Sequence, residues 1–171
     1  MANPGCALAT KPTFSRFLFY KLLTAIPVAA ALIALIRYSG AWYWPVAYVA
    51  LCLTHAGIMS AIKCPHCAYY RMEGKRYSCF IWWRAPKLYE PRPEPERRYV
   101  GIYAPIGMLV LTLFPVYWLW MQWELLLLYA LGIVVLVQSI GMHECTRCLN
   151  FDCGHNAVSE EVKREYLDST A

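Results

Sequence analysis

Four long apolar runs limit what this chain of 171 residues can fold into. They cover residues 17–37, 41–62, 101–122 and 125–142. Each is close to the roughly 20 residues that an α-helix needs to cross about 30 Å of hydrocarbon. Charged residues make up only 16% of the chain, against about 25% in soluble domains. The sequence therefore predicts an all-α integral membrane protein with four transmembrane helices.

Positive charges collect on one side of the predicted membrane. With four crossings, both termini and the segment between the second and third runs lie on the same side. That side holds fifteen of the sixteen Lys and Arg residues, and Arg37 lies on the other. Cations near helix ends favour the cytoplasmic side. We therefore expect a protein of the inner or plasma membrane with both termini, and the segment between its halves, in the cytoplasm.

The chain divides into two halves of the same order. A cytoplasmic segment at 1–16 precedes a first helical hairpin at 17–62, and a segment rich in Cys, aromatic residues and Pro follows at 63–100. A second hairpin at 101–142 leads into a Cys-rich segment with a short C-terminal helix at 143–171. Two tandem hairpins of one orientation predict a pseudo-twofold repeat about the membrane normal. We expect this axis to bring the ends of the second and fourth helices together.

Aromatic residues and prolines refine this picture of the helices. The aromatic residues at the outer, non-cytoplasmic helix ends predict a membrane-interface belt; they are Trp42, Trp44, Trp118, Trp120, Trp123, Tyr38, Tyr43 and Tyr117. Pro27 and Pro115 fall inside the first and third runs. We expect both helices to continue through them, since neighbouring groups in a membrane satisfy the freed carbonyls.

The segment between the hairpins has two parts. Residues 89–100 carry Pro91, Pro93 and Pro95 among alternating charges, which predicts an extended surface strap. Residues 77–86 include five apolar residues in a row at 79–83. They predict either a piece that lies against lipid headgroups or an arm that holds a partner.

Two C-x-x-C pairs stand at equivalent places in the two halves. Cys64 and Cys67 follow the first hairpin, and Cys145 and Cys148 follow the second at an offset of eighty-one residues. The cytoplasm keeps thiols reduced, so such pairs predict metal binding rather than disulfides. Two such turns complete the tetrahedral four-sulfur shell that Zn²⁺ favours. The turns are similar to zinc-ribbon knuckles over a few residues, which identifies no family. The sequence predicts one joint zinc site of these four cysteines.

Other residues near the two pairs leave alternatives open. Cys79, Cys153 and His155 are possible additional ligands, and extra sulfurs also allow a [4Fe–4S] cluster. We expect His66 and His143 to be solvated or to support the ligands more often than to bind the ion. The separation of the pairs between distant halves, without a ferredoxin-like run, favours zinc.

His55 is the ionisable residue that the sequence places well inside the membrane. Such residues are functional candidates by default. A histidine of the helix core, bonded to Thr112, Gln138 or Ser139, is the other interpretation. The sequence has no nucleophile with a base beside it, no Gly-rich phosphate loop and no paired carboxylates within the membrane. We therefore expect no catalytic activity of its own.

These features predict an accessory or anchoring subunit of a larger membrane complex. Its expected partners are membrane lipids and other subunits, and no nucleic acid. One alternative is an iron–sulfur electron-transfer subunit of a quinone-linked membrane oxidoreductase. Another is a membrane thiol-disulfide oxidoreductase, because quinone-linked disulfide-generating enzymes also have four helices and Cys pairs. In the bacterial form of that family the pairs follow helices one and three, outside the cytoplasm, whereas here they follow helices two and four. A small transporter has little support, because intramembrane charge is nearly absent.

Overall fold

The fold is a bundle of membrane-length helices with the cysteine-bearing turns at one end. A computed structural model describes residues 8–9, 12–92, 98–151 and 153–170. The helices are α1 (Phe14–Tyr38), α2 (Tyr43–Ile62), α3 (Ala68–Arg71), α4 (Arg98–Leu113), α5 (Val116–Leu119), α6 (Trp123–Ser139) and α7 (Glu160–Thr170). Two short strands, β1 (Arg76–Tyr77) and β2 (Ala85–Pro86), pair antiparallel.

Four spans are long and apolar enough to cross a membrane, which confirms the predicted number. They are Phe14–Tyr38, Tyr43–His66, Gly101–Leu119 and Trp123–Arg147. Large apolar side chains face outward from them: Ile36 is 68% exposed, Leu53 68% and Leu131 61%. Apolar surface on this scale suits contact with lipid tails rather than water.

The third span is interrupted, so the expectation of a continuous helix through Pro115 is wrong. α4 ends at Leu113 and α5 begins at Val116. Pro115 has no N–H to continue the helical ladder. Its carbonyl instead accepts from the N–H groups of Trp118 at 3.1 Å and Leu119 at 3.0 Å, and so starts the next turn. Pro27, by contrast, lies inside α1 as expected.

The fourth span is longer than the apolar run predicted. After α6 the chain passes through a π-helical turn at Ile140–Glu144 and a 3₁₀ turn at Cys145–Arg147. The N–H of Cys145 bonds to the carbonyl of Ile140, five residues earlier. The helical path therefore runs directly into the second C-x-x-C pair.

The predicted strap is shorter than expected. α4 begins at Arg98, so residues 98–100 are helical rather than extended. Residues 90–92 have no regular structure, as a strap requires. Pro93 and Pro95 lie outside the described residues.

α1 is the central helix of the bundle: it packs along α6 and also touches α2 and α5, while α2 packs on α4. On α1, Ala30, Ala31 and Ala34 are at most 1% exposed. Small side chains let membrane helices approach closely. Gly132 on α6 adds to this fit, because a Cβ there would stand 3.0 Å from Cδ of Pro27. The two hairpins are thus joined through a tight α1–α6 seam.

The aromatic residues at the outer end divide into two groups. Trp44 packs on Trp118 with ring centroids 4.9 Å apart, and Trp118 is 9% exposed. Trp42, Trp120 and Trp123 are 79%, 77% and 66% exposed. The first group closes the bundle, and the second has the exposure that an interface belt needs.

The segment between β1 and β2 lies against the first turns of α1. Three aromatic contacts hold it: Phe80 on Tyr20 at 5.2 Å, Trp83 on Phe14 at 5.4 Å, and Lys21 over the ring of Trp82 at 5.4 Å. The segment is therefore packed on α1, and both interpretations of residues 77–86, a piece against lipid headgroups or an arm that holds a partner, stay predictions.

Candidate metal centre

The two C-x-x-C pairs adopt the same local backbone. Cys64–His66 and Cys145–Arg147 each form one 3₁₀ turn. The second cysteine then turns into extended backbone, with φ −77° and ψ 138° at Cys67 and φ −79° and ψ 130° at Cys148. Pro65 favours the first turn because its ring fixes φ. The two turns therefore place their cysteines on matching backbone.

The N-terminal segment joins the two turns. The N–H of Ala9 donates to the carbonyl of Arg147, inside the second turn, at 2.9 Å. The hydroxyl of Tyr69, two residues after the first turn, donates to the carbonyl of Ala9 at 2.7 Å. A single residue thus bridges the cysteine-bearing ends of the two halves.

An ion pair next to Cys145 anchors the second turn to α1. Nε of Arg16 donates to Oε1 of Glu144 at 3.1 Å, and a second guanidinium nitrogen donates to Oε2. Glu144 is only 9% exposed. Two-pronged Arg–carboxylate pairs of this kind fix geometry as well as charge. Tyr69, Cys79 and Phe80 line the small cavity beside the pair.

Three half-buried thiols outside the membrane spans, those of Cys67, Cys79 and Cys148, have raised pKa values. Burial raises the pKa of Cys67 to about 12, the N–H of Tyr69 lowers it, and the thiols of Cys148, Cys79 and Cys64 raise it. Coupling between like charges requires the groups to be near one another. Cys148, in the other half of the chain, is thus one of the groups whose charge raises the pKa of Cys67.

The pKa values of the other two thiols, those of Cys79 and Cys148, are raised by burial as well. Burial raises the pKa of Cys79, the N–H groups of Trp82 and Ile81 lower it, and Cys64 raises it. Burial also raises the pKa of Cys148, the N–H of Asn150 lowers it, and Cys153 and Cys145 raise it. Burial is thus the main cause of the raised pKa at both thiols.

Each turn is supported in its own way. On the first, the hydroxyl of Tyr70 donates to the carbonyl of Tyr89 and accepts from its N–H, both at 2.9 Å. The N–H of Arg92 reaches the carbonyl of Pro65 at 2.9 Å. Tyr77 also hydrogen-bonds the side chain of Cys64. Distant parts of the middle segment therefore hold the first turn.

The second turn is closed by its own loop. Nδ2 of Asn156 donates to the carbonyls of Cys148 and Asn150, each at 2.9 Å. Its Oδ1 accepts from the N–H of Val158 at 3.0 Å. The N–H of Ala157 donates to the carbonyl of Cys145, also at 3.0 Å.

The structure brings together the turns that carry the predicted ligands, through the hydrogen bonds of Ala9. Across the described ranges, no three Cys, His, Asp or Glu side chains are already arranged to hold an ion. The joint zinc site of Cys64, Cys67, Cys145 and Cys148 therefore stays a prediction. His66 is buried, with 8% of its surface exposed, whereas His143 and His155 lie on the surface.

His55 lies between α2 and α4 and lacks the predicted partner at one nitrogen. Its Nδ1 is buried without a hydrogen-bond partner among the residues described. The ring stacks on Tyr103 at 5.7 Å, and Nδ1 stands 2.5 Å from where a Cβ of Gly107 would be. The expected bond to Thr112, Gln138 or Ser139 is thus not made at Nδ1, because the ring is inserted against the Gly107 backbone.

Several residues that build this centre escape sequence reasoning. Glu144 could have been found from the sequence, because it is a carboxylate next to Cys145 at the end of an apolar run. A carboxylate that is buried there needs a cation as its partner. Arg16 was identified only as one of the cytoplasmic cations. Ala9, Tyr69 and Asn156 belong to no recognisable pattern and are found only through the fold.

Comparison with known proteins adds no assignment. No family model matches the chain, and neither a curated protein nor a solved structure was found to match it. The function is therefore inferred from the residues of the chain itself.

Proposed function

We propose that the protein is a non-catalytic, multi-pass subunit of a membrane complex, in which cysteines at the cytoplasmic face bind zinc and join the two hairpins. Its halves form a pseudo-twofold repeat of hairpin and C-x-x-C turn. The four-sulfur shell consists of Cys64, Cys67, Cys145 and Cys148. Lipids and neighbouring subunits are its partners.

The observation that carries the proposal is the pair of matched turns bridged by Ala9. Two distant pieces of sequence reach nearly identical dihedral angles, and one residue hydrogen-bonds beside both. The Ala9 bridge holds together the ends that carry Cys67 and Cys148, which supports a shared ion. Reduced thiols in such turns match the ligands and spacing of structural zinc sites.

A metal at this position has a physical role. Helices in lipid gain no hydrophobic drive to associate, so the bundle relies on packing and polar contacts. The α1–α6 seam joins the hairpins along one side. An ion held by both halves adds its binding free energy to folding.

The membrane orientation follows from charge. Fifteen of sixteen Lys and Arg residues belong to the side that carries the cysteine turns. The positive-inside rule places that side in the cytoplasm. A reporter that works only in the cytoplasm should be active when it is fused after residue 171. Activity of a reporter that works only outside the cytoplasm, fused at the same place, would contradict this orientation.

Metal analysis of the protein purified in detergent tests the proposal. Zinc should accompany the wild-type chain, and Cys145→Ser should lose metal and lower thermal stability. Cys52→Ser is the matched control, since Cys52 packs on the helical core within the membrane. Metal-free wild-type protein, or full metal content in Cys145→Ser, would contradict the proposal.

Iron–sulfur electron transfer is the second candidate, and His55 is the observation that favours it. Its half-buried imidazole lies within the second membrane span, where a quinone carbonyl would need a hydrogen-bonding group. Anaerobic purification separates the candidates: iron with acid-labile sulfide supports electron transfer, and zinc without sulfide supports the structural role.

A further inference from the structure

The loop between β1 and β2, residues 78–84, is packed on the first turns of α1 and shares their depth in the membrane. From Lys21 to Tyr38, α1 rises about 26 Å at roughly 1.5 Å per residue. This is slightly less than the roughly 30 Å of hydrocarbon that a span must cross. With Tyr38 at the outer edge, the inner edge of the hydrocarbon falls close to Lys21. Residues 14–20 of α1, and the loop packed on them, therefore lie at the level of the lipid headgroups.

Its own hydrogen bonds give the loop a defined shape. The N–H of Cys79 donates to the carbonyl of Trp82 at 2.7 Å, and the N–H of Trp82 donates back to Sγ of Cys79 at 3.3 Å. The N–H of Arg84 donates to Oγ of Ser78 at 3.0 Å, and the pairing of β1 with β2 closes the base. In the middle of the loop, Ile81 is 46% exposed. The loop thus offers apolar surface at the depth where lipid meets water.

Lys21 brings a positive charge to this surface. Side chains of a helix tilt toward its N-terminus. The N-terminal end of α1 is the end that carries the loop, so the ammonium of Lys21 reaches out of the hydrocarbon toward the headgroups. Its Nζ lies 5.6 Å from the ring centroid of Phe17 and 5.4 Å from that of Trp82. These rings attract the cation but leave its charge uncompensated. Within the described ranges, no carboxylate forms an ion pair with Lys21.

Arg84 adds a second exposed cation at the end of the loop. It directly follows Trp83, whose ring packs on Phe14 at 5.4 Å and on Phe17 at 6.3 Å. Its backbone is left-handed, with φ 51°, and no other non-glycine residue of the described part has a positive φ. Glycine adopts this conformation without a steric cost, whereas a residue with a Cβ is strained there. An arginine retained at a strained position points to a use of its side chain.

Lys87, in the same segment, shows what a cation used for folding looks like. Its ammonium donates to the carbonyl of Met72 and lies 5.8 Å from the ring centroid of Tyr70. Lys21 and Arg84 have no ion pair or side-chain hydrogen bond of this kind to any residue that the structure describes. Their charges therefore remain available to a ligand.

We propose that the loop at 78–84, with Lys21 and Arg84 as its cations, binds the phosphate of an anionic phospholipid in the leaflet beside the cysteine turns. Ammonium and guanidinium groups are the side chains with which proteins bind phosphate. The tryptophans of the loop suit the headgroup level, where such rings collect. The inference rests on the membrane embedding of the proposed function and names the class of its lipid partner, and it does not depend on the zinc site.

Counting the lipids that the full chain retains in detergent, by native mass spectrometry, tests the proposal. With equal amounts of phosphatidylglycerol and phosphatidylcholine added, the wild type should prefer phosphatidylglycerol. Lys21→Gln and Arg84→Gly should each lower this preference about fivefold, or about 1 kcal/mol per cation, and the double variant should remove it. Arg164→Gln is the matched control, because Arg164 is an exposed cation on α7, outside the membrane spans. It should keep the wild-type preference.

Arg84→Gly also separates binding from folding. Glycine suits φ 51°, so thermal unfolding without added lipid should keep its midpoint or gain a higher one. A wild-type preference retained by the double variant would overturn the lipid site, and so would an equal loss in Arg164→Gln. Equal retention of both lipids by the wild type would also overturn it and would favour the loop as an arm for a protein partner. Absence of zinc with the lipid preference intact would contradict the proposed function alone.

Discussion

The two cysteine turns have the same backbone but different support. The first turn, at Cys64–His66, is held by residues up to about 25 positions away and by a segment packed on α1. The second, at Cys145–Arg147, is closed by Asn156 in its own loop and attached to α1 through Glu144. One backbone conformation is therefore reached by two routes. Damage to the first turn should spread through the middle segment, and damage to the second should stay local unless its attachment is cut.

High pH should test both turns at once and give the largest effect. The folded-state pKa of Cys67 is raised from 9.0 to about 12, and those of Cys79 and Cys148 are also raised, all by burial. A raised pKa gives stability that is complete below the unfolded pKa and is lost as pH rises through the folded one. The free energy of unfolding of the metal-free protein should thus be independent of pH between about pH 7 and 8 and should fall between about pH 9 and 12.

Thermal unfolding of the metal-free chain against pH measures this loss. Replacing Cys67, Cys79 and Cys148 by Ser should flatten the curve between pH 9 and 10, below the range where Tyr69 and Tyr77 add their own dependence. An equally steep curve in the triple variant would show that these thiols do not govern it. Hydrogen exchange should find the first turn opening before the second if burial of Cys67 dominates.

Glu144→Ala should cut the attachment of the second turn. It leaves Arg16 without its carboxylate at a part-buried position, at a cost of about 3 kcal/mol. Chemical or thermal unfolding in detergent measures the change in the free energy of unfolding. Glu160→Ala is the matched control, because its pair with Lys163 is exposed and 3.8 Å long, and such pairs contribute about 0–1 kcal/mol. Equal effects of the two substitutions would mean that Glu144 is not an anchor.

Asn156→Ala should loosen the second turn alone. It removes two donated bonds and one accepted bond, which together are worth about 2 kcal/mol. Hydrogen exchange should rise across residues 145–158 and remain unchanged across residues 64–92. Equal increases in both regions would contradict the self-contained loop.

Tyr70→Phe should have the smallest effect and act on the first turn. The ring stays in its buried place while both bonds to Tyr89 are lost, at about 1 kcal/mol. Exchange should rise at residues 87–92 as well as near Cys67, since the same hydroxyl holds both. A change confined to residues 68–71 would show that the middle segment does not support the turn.

The sequence was sufficient for features with a physical period or a simple charge rule. Apolar runs of membrane length predicted the four spans, and C-x-x-C spacing predicted two similar turns. The effect of Pro115 was predicted wrongly because proline is tolerated in some membrane helices and interrupts others. The outcome depends on whether neighbouring groups bond to the carbonyl that proline leaves without a partner. The end of the fourth span was missed because a π-helical turn leaves no compositional mark at Ile140–Glu144.

The support of the centre was beyond sequence reasoning for a different reason. Ala9 contributes only its backbone N–H and carbonyl, which every residue except proline possesses. Asn156 and Tyr70 act through bonds to backbone groups of residues that become neighbours only in the folded chain. His55 could be placed at the correct depth, but its missing partner depends on the close approach of Gly107.

The bridge at Ala9 has a consequence for the order in which the protein is made. Its donor leaves the ribosome first, yet the carbonyl that it needs belongs to Arg147, and its other partner is Tyr69. Ala9 must therefore wait until Arg147 and the membrane spans that precede it have been synthesised. Closure of the bridge is then a late event of biogenesis, and a chain truncated before Arg147 has no acceptor for the N–H of Ala9.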